Sequence, residues 1–386
     1  MKHHILALFT LGLLATLNSP LATGFAQGSL TPPGGPAPTM KSLDQVEART
    51  AITNSAGLVT ISQSGSYYLT HNLMVSTGDA IDITASGVTL DLNGFTISST
   101  AGSANGNGIL LSAGLANINI HHGHIAGSVI NNGGTFSGGG FAYGIYYSGN
   151  VSHNVRIANV SVSGCLDDGI NISPGNSSVV ESCTVDTVGG SGIVANSVAN
   201  SVAYACGNTG IYAGSALNSA GYAMNSGYGI YATQAANCTG SSSGGTGLYT
   251  FGNAANCYGT SSTGTGLTAN TGALNCSGNS GSGIGLYSYD SASNCYGQTS
   301  GSYGIFGSVC ENCYGFSYGN TGVGLHCQFA QSCYGATTGG TALSAYAVIN
   351  SYGFNNSNAG TGISATYGNF SFGYPTVVVN VKYNMP

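Results

Sequence analysis

A glycine followed by isoleucine or leucine returns every 18 to 20 residues through the second half of this chain, and that period constrains the fold more than any other feature. The dyads are Gly210-Ile211, Gly229-Ile230, Gly247-Leu248, Gly266-Leu267, Gly285-Leu286, Gly304-Ile305, Gly324-Leu325 and Gly362-Ile363, with Ala342-Leu343 in the remaining register. A second mark runs in phase: Asn237-Cys238, Asn256-Cys257, Asn275-Cys276, Asn294-Cys295 and Asn312-Cys313, then Ser332-Cys333 and Asn350-Ser351. It extends backwards as Asn218-Ser219 and Asn200-Ser201. A unit this short has no room for two helices and a turn, and its many Gly, Ser, Thr and Asn residues are poor helix formers. It does fit short strands joined by glycine-rich bends, wound once per unit and stacked at the ~4.8 Å strand spacing. The expected fold is all-β: a single-stranded parallel β-helix with coils of about 19 residues in the C-terminal half.

Stacked coils turn equivalent positions into columns. The Ile or Leu of each dyad forms the core stripe, and two residues on lies a column of small side chains that includes Ala213, Ala232, Ala269 and Ala345. Between the two, Tyr212, Tyr231, Tyr249 and Tyr287 alternate outward. The residue after the Asn-Cys mark is often tyrosine as well, at Tyr258, Tyr296, Tyr314 and Tyr334. Aligned rings on a neutral surface suit contact with sugars or with a partner, so these eight tyrosines are the candidate binding residues.

The asparagines of the mark (Asn237, Asn256, Asn275, Asn294 and Asn312) are expected to form a ladder at a bend, each amide bonding its equivalents above and below. Cys238, Cys257, Cys276, Cys295, Cys313 and Cys333 share one column, with serine in that place at Ser201, Ser219 and Ser351. Cα atoms ~4.8 Å apart fall inside the disulfide window. Parallel stacking, however, aims the Cβ vectors along one another, and exchange with serine fits a position that wants small volume. A buried, mostly reduced structural ladder is the expectation.

Charge excludes several functions. Lys and Arg number 5 against 11 Asp and Glu in 386 residues, so no row of phosphates is neutralised, and nucleic-acid or anionic-membrane binding is ruled out as a role. Residues 1–26 read as a signal peptide: Lys2, an apolar run from Ile5 to Leu17, and Gly24-Phe25-Ala26 before a cut at Gln27. That run is too short to span a bilayer, so an exported protein with no transmembrane anchor is expected. Residues 27–50 are a Pro/Gly linker followed by a charged stretch, Met40 to Thr50, that suits a short leading helix or cap. The β-helix fills 51–386, with irregular coils over 51–200 and regular repeats over 201–386. The irregular part carries strand-like alternations such as Val88 to Leu92 and Val160 to Val162, and Gly/Asn-rich insertions such as Asn131 to Gly140. Val377 to Val381 forms a last strand whose open edge invites self-association.

The run Ile81 to Gly94, the segment Asp167-Asp168-Gly169-Ile170 and the Gly-Ile/Leu ladder together resemble the right-handed parallel β-helix superfamily, the pectin-lyase-like proteins. The leader from Leu30 to Thr50 and the recurrent Asn-Cys-Tyr-Gly also resemble a group of secreted bacterial β-helix repeat proteins of uncharacterised function. The resemblance implies a right-handed helix and secretion or display at a bacterial cell surface. It says little about activity, because this architecture carries lyases, hydrolases, adhesins and inert scaffolds. Uronate lyases on this fold use basic residues near the sugar acid, and Arg156 is the only one in the solenoid before Lys382. Hydrolysis needs paired carboxylates, and the candidates are Asp167, Asp168 and Asp186. Asp167-Asp168-Gly169 resembles the paired aspartates of polygalacturonase-type hydrolases, but the flanking Asn-Thr-Asp and Gly-His-Gly segments are missing. Asp before Gly also caps turns in coils with no catalysis.

His121-His122-Gly123-His124 with Asp91 or His153 on neighbouring coils raises a metal site, yet strand alternation would set His121 and His122 on opposite faces. No metal and no cofactor are expected. The leading functional expectation is a non-catalytic exported protein with a structural, adhesive or neutral-glycan-binding role; the alternative is a glycoside hydrolase working through the paired aspartates.

Overall fold

The Ile and Leu of the dyads do come to lie one above another. In the computed structural model, which describes residues 47–383 apart from Asn176 and Asn358, Leu248, Leu267, Leu286, Ile305, Leu325, Leu343 and Ile363 are successive register partners and all are fully buried. Each coil lays down three short strands, and each strand pairs in parallel with its equivalents above and below. Sheet A contains Ile81–Ile83, Leu248–Thr250 and Leu267–Ala269; sheet B contains Val88–Asp91, Ser178–Glu181 and Gly272–Leu274. Sheet C contains Leu73–Val75, Tyr258–Ser261 and Tyr296–Thr299. The chain is thus a right-handed parallel β-helix, continuous in its pairing from Thr50 to Tyr383.

The tube narrows in the regular half because glycines meet across it. A Cβ added at Gly259, on sheet C, would stand 2.2 Å from the carbonyl oxygen of Gly266 and 2.9 Å from Leu267 Cβ. At Gly247, before sheet A, it would stand 2.3 Å from the carbonyl oxygen of Thr260. Both positions need a residue with no side chain, which is why the repeat carries one glycine before Leu and another after Tyr.

The third inward position of sheet C is a hydroxyl. Ser242, Ser261, Ser280 and Thr299 are buried, and their Oγ atoms donate to the carbonyls of Gly227, Gly245, Gly264 and Gly283 at 2.6–2.7 Å. Backbone N–H groups of Gly245, Gly264 and Gly283 donate back to Ser242, Ser261 and Ser280 at 2.7–2.8 Å. The bend between sheets C and A therefore has its polar groups paired inside the tube.

The first coils are filled differently. Val88, Leu90, Ile97, Ile109, Leu111, Ile118, Ile120 and Ile125 put large aliphatic groups inward on all three sheets. The insertion after sheet C is an antiparallel hairpin, Ser128–Asn132 with Thr135–Gly139, turning at Gly133-Gly134. It lies back along the stack: Asn225 Nδ2 donates to Gly134 O at 3.1 Å, and Phe136 covers Gly189 and Gly207. Of the leading segment, residues 40–46 lie outside the described residues, and Thr50 begins a strand paired with Tyr67. The signal-peptide residues and most of the linker lie outside the described residues. No helix among the described residues is long and apolar enough to cross a membrane.

Candidate functional site

The three candidate carboxylates occupy different settings. Asp168 sits in the turn from sheet C to sheet A, where its Oδ1 accepts the backbone N–H of Ser191 on the next coil at 2.6 Å and its Oδ2 accepts Asn171 Nδ2 at 2.7 Å. Asp79 does the same in an earlier coil, accepting both the backbone and the side-chain nitrogen of Asn107. Burial raises the Asp168 carboxyl above its usual value, the bonds from Ser191 and Asn171 oppose that, and Asp167 adds to it. Asp167 itself is exposed beside this turn. Asp186 is exposed on sheet C, the register partner of Ser163 and Tyr204, and accepts a hydrogen bond from Thr187 Oγ1.

Grooves lie elsewhere. One of about 410 Å³ is lined by His122, His124, Asn159, Ser161, Ser182 and Thr184, and a smaller one of about 170 Å³ by Asn119, His121, His122, Arg156 and Asn159. Two shallow ones on sheet B, of about 220 and 390 Å³, are lined only by Ala, Ser, Asn, Gln, Gly and Leu. None of the four includes Asp167, Asp168 or Asp186.

The tyrosines fall into two columns on two sheets. On sheet A, Tyr212, Tyr231 and Tyr249 stack with centroids 5.0 and 5.2 Å apart, flanked by Tyr228 and Phe251. Thr268 breaks this column, and it resumes as Tyr287, Phe306 and His326. On sheet C, Tyr296, Tyr314, Tyr334, Tyr352 and Phe372 stack at 4.8 to 5.4 Å with their planes within 24°. Beside them on the same sheet stand Phe316 with Tyr318, and Phe354 with Tyr374. Tyr258 belongs to the same column but stands alone, with Thr239 and Ser277 as its neighbours. Ring separation equals coil spacing, so within a stack the rings cover each other's faces. What they offer to solvent is edge and phenolic oxygen. Burial, then the neighbouring phenols, raises Tyr296, Tyr314 and Tyr334, which keeps those hydroxyls protonated donors.

The asparagine ladder runs from Asn200 to Asn294: Asn218, Asn237, Asn256, Asn275 and Asn294 each donate Nδ2 to the Oδ1 of the asparagine one coil before, at 3.0–3.2 Å, and Asn312 shares the bend but not these bonds. These residues, and Asn312, also take φ between 48° and 54°, the left-handed region in which Asn is favoured among residues with a side chain. Asparagine thus suits the bend from sheet B to sheet C twice over, although Ser332 and Phe370 hold the same backbone in their coils. All 11 cysteines are buried free thiols. Cys238 Sγ donates to Ala236 O at 3.2 Å, as Ser201 Oγ does to Ala199 O and Ser219 Oγ to Leu217 O at 2.8 Å, which explains the exchange of Cys with Ser. Cys257 and Cys276 are pushed up to about 11 and Cys295 to about 12: the thiol of the preceding coil lowers each, and the thiol of the next coil and burial outweigh it.

One expectation is corrected. His122 takes a φ of 58°, in the column that holds Asn159 and Asn200 in later coils, so the chain turns there and strand alternation ends. His121 and His122 therefore point the same way, with Nδ1 atoms 2.9 Å apart and Asp91 Oδ1 3.4 and 3.8 Å from them. Burial pushes the His121 imidazole below its ordinary value, against the pull of Asp91. Arg49, at the end of the leading segment, reaches Asp91 Oδ2 at 2.8 Å and covers the Tyr68 ring. Compared with protein-family models, curated proteins and solved structures, the chain matches none.

Proposed function

We propose that this is a non-catalytic exported β-helix whose aromatic columns contact a neutral, hydroxyl-rich polymer, in a structural, adhesive or glycan-binding role at a bacterial cell surface. The observation that carries it is the sheet C ladder from Tyr296 to Phe372, with its second row of aromatic residues, on a surface almost without charge. A row of phenolic hydroxyls one coil apart offers a hydroxyl-rich chain a line of hydrogen-bond donors and acceptors. Tyr258, between Thr239 and Ser277, has no aromatic neighbour in its column and so adds a ring for sugar stacking. The carboxylates support the same reading from the other side: Asp168 spends both oxygens on the turn, and Asp186 stands on a separate strand.

The test is binding and release of new reducing ends on an array of neutral and acidic polysaccharides. Retention of a neutral glycan, weakened in Tyr314→Ser/Tyr334→Ser and unchanged in Asp167→Asn, supports the proposal. Serine and threonine already occupy that column at Ser277 and Thr239, so the double variant keeps the fold. New reducing ends that vanish in Asp167→Asn would establish the hydrolase instead.

A further inference from the structure

The chain has few charges, and its first coils concentrate several of them. Arg49, Asp91, Arg156 and Glu181 gather on sheet B or at its edge, around two adjacent histidines. Asp91 and His121 are register partners, and the left-handed turn at His122 brings its ring beside that of His121, with centroids 4.6 Å apart.

The three ligand atoms are separated by 2.9, 3.4 and 3.8 Å. A triangle with those sides has a circumradius of about 2.0 Å, which is the length of a Zn–N(His) or Zn–O(carboxylate) bond. A single point therefore lies at bonding distance from all three. The carboxylate is held for the purpose: Asp91 Oδ1 accepts the backbone N–H of Asn93 at 2.9 Å and Oδ2 accepts Arg49 Nη1 at 2.8 Å, the outer support that ligating carboxylates use. Two imidazoles select against Ca²⁺ and Mg²⁺, which prefer all-oxygen sites.

We infer that Asp91, His121 and His122 bind one divalent first-row transition ion, Zn²⁺ by donor type, with the remaining coordination positions open to water. His121 and His122 both line the smaller groove with Asn119, Arg156 and Asn159, so solvent reaches the ion from that side. The inference does not depend on the aromatic ladder or on glycan binding.

The test is calorimetric titration of the full-length reduced protein with ZnCl₂, together with the visible spectrum of its Co²⁺ complex. One ion binds per chain, and His122→Asn and Asp91→Asn each weaken it by more than roughly tenfold. His122→Asn keeps the left-handed turn, because Asn159 and Asn200 hold the same backbone in the following coils, so an unchanged circular dichroism spectrum separates loss of a ligand from loss of fold. His124→Gln and His3→Ala/His4→Ala bind as the wild type does, and the Co²⁺ complex lacks a thiolate charge-transfer band. Absence of binding to the wild type, equal affinity in His122→Asn, or a thiolate band would overturn the inference.

Discussion

The first coils and the regular array wind the same tube around two different interiors. In the coils from Ile81 to Val162, each turn buries several large aliphatic side chains, such as Ile118, Ile120 and Ile125. In the array nearly every turn buries one, the Leu or Ile of sheet A, with Val348 a second beside Leu343, and the rest is filled with alanine, thiol, hydroxyl and bare backbone. Hydrophobic burial scales with apolar area, so the early coils draw more stability from side chains. The array depends instead on close backbone approach and on ladders repeated coil by coil. The array accordingly varies by only a residue or two per coil, whereas side-chain packing in the early coils accommodates the hairpin at 128–139.

This contrast breaks most readily at the glycines. Gly259→Ala puts a methyl group 2.2 Å from a carbonyl oxygen and is expected to cost more than ~4 kcal/mol or to prevent folding of the neighbouring coils. Urea unfolding followed by circular dichroism checks it, and a loss under ~1 kcal/mol would show that the tube is wider than described. Next come the aliphatic positions. Leu267→Ala and Ile120→Ala each fall in the ~2–5 kcal/mol range of large-to-small core changes, with Leu267→Ala the costlier. Around Leu267 stand glycine and alanine backbones that cannot close a cavity, while Ile120 has flexible aliphatic neighbours. Equal losses by the same assay would erase the distinction.

At the B-to-C bend, Asn256→Ala is expected to cost ~1–2 kcal/mol for a left-handed residue with a Cβ and no amide. Asn256→Gly restores the backbone and leaves only the ladder bond to lose, so the difference between the two variants sharpens which requirement dominates. Cys276→Ser is the mildest change, under ~1 kcal/mol, since serine fills the same column at Ser201 and Ser219 with the same carbonyl bond.

The thiols also set a pH dependence. An unfolded thiol titrates near ~8.5, and Cys257 and Cys276 do so at about 11 when folded. The folded state therefore favours the protonated form. Its contribution is complete below ~8.5 and is lost as pH rises through about 11. The urea midpoint should fall across that window, and fall less in Cys257→Ser/Cys276→Ser.

Much of this was legible because periodicity survives in one chain. The Gly-Leu dyad marked sheet A, and the Asn-Cys pair marked a bend with its amide ladder. The hydroxyl ladder of Ser242, Ser261 and Ser280 escaped notice because an inward serine looks, in sequence, like an outward one; its in-phase recurrence two residues after Gly240, Gly259 and Gly278 was the available signal. Gly133-Gly134 between Val129-Ile130 and Phe136 is a hairpin signal that the glycine-rich surroundings obscured. The histidine pair departs from strand alternation for a different reason: the chain turns at His122, and no residue type other than Asn or Gly announces a left-handed turn. The ion pair of Arg49 with Asp91 spans 42 residues, a separation set by uneven early coils that no period reveals.

The central claim is that the repeated columns form the closed interior of one narrow tube, and the thiols report on it directly. The decisive measurement is a count of cysteines reacting with an aromatic disulfide reagent, first on the native protein and then in denaturant. The account predicts no rapid reaction while folded and 11 reactive thiols once unfolded. Rapid labelling of the native protein, or fewer than 11 thiols after unfolding, would contradict it, the first by showing an open interior and the second by showing bridges between coils.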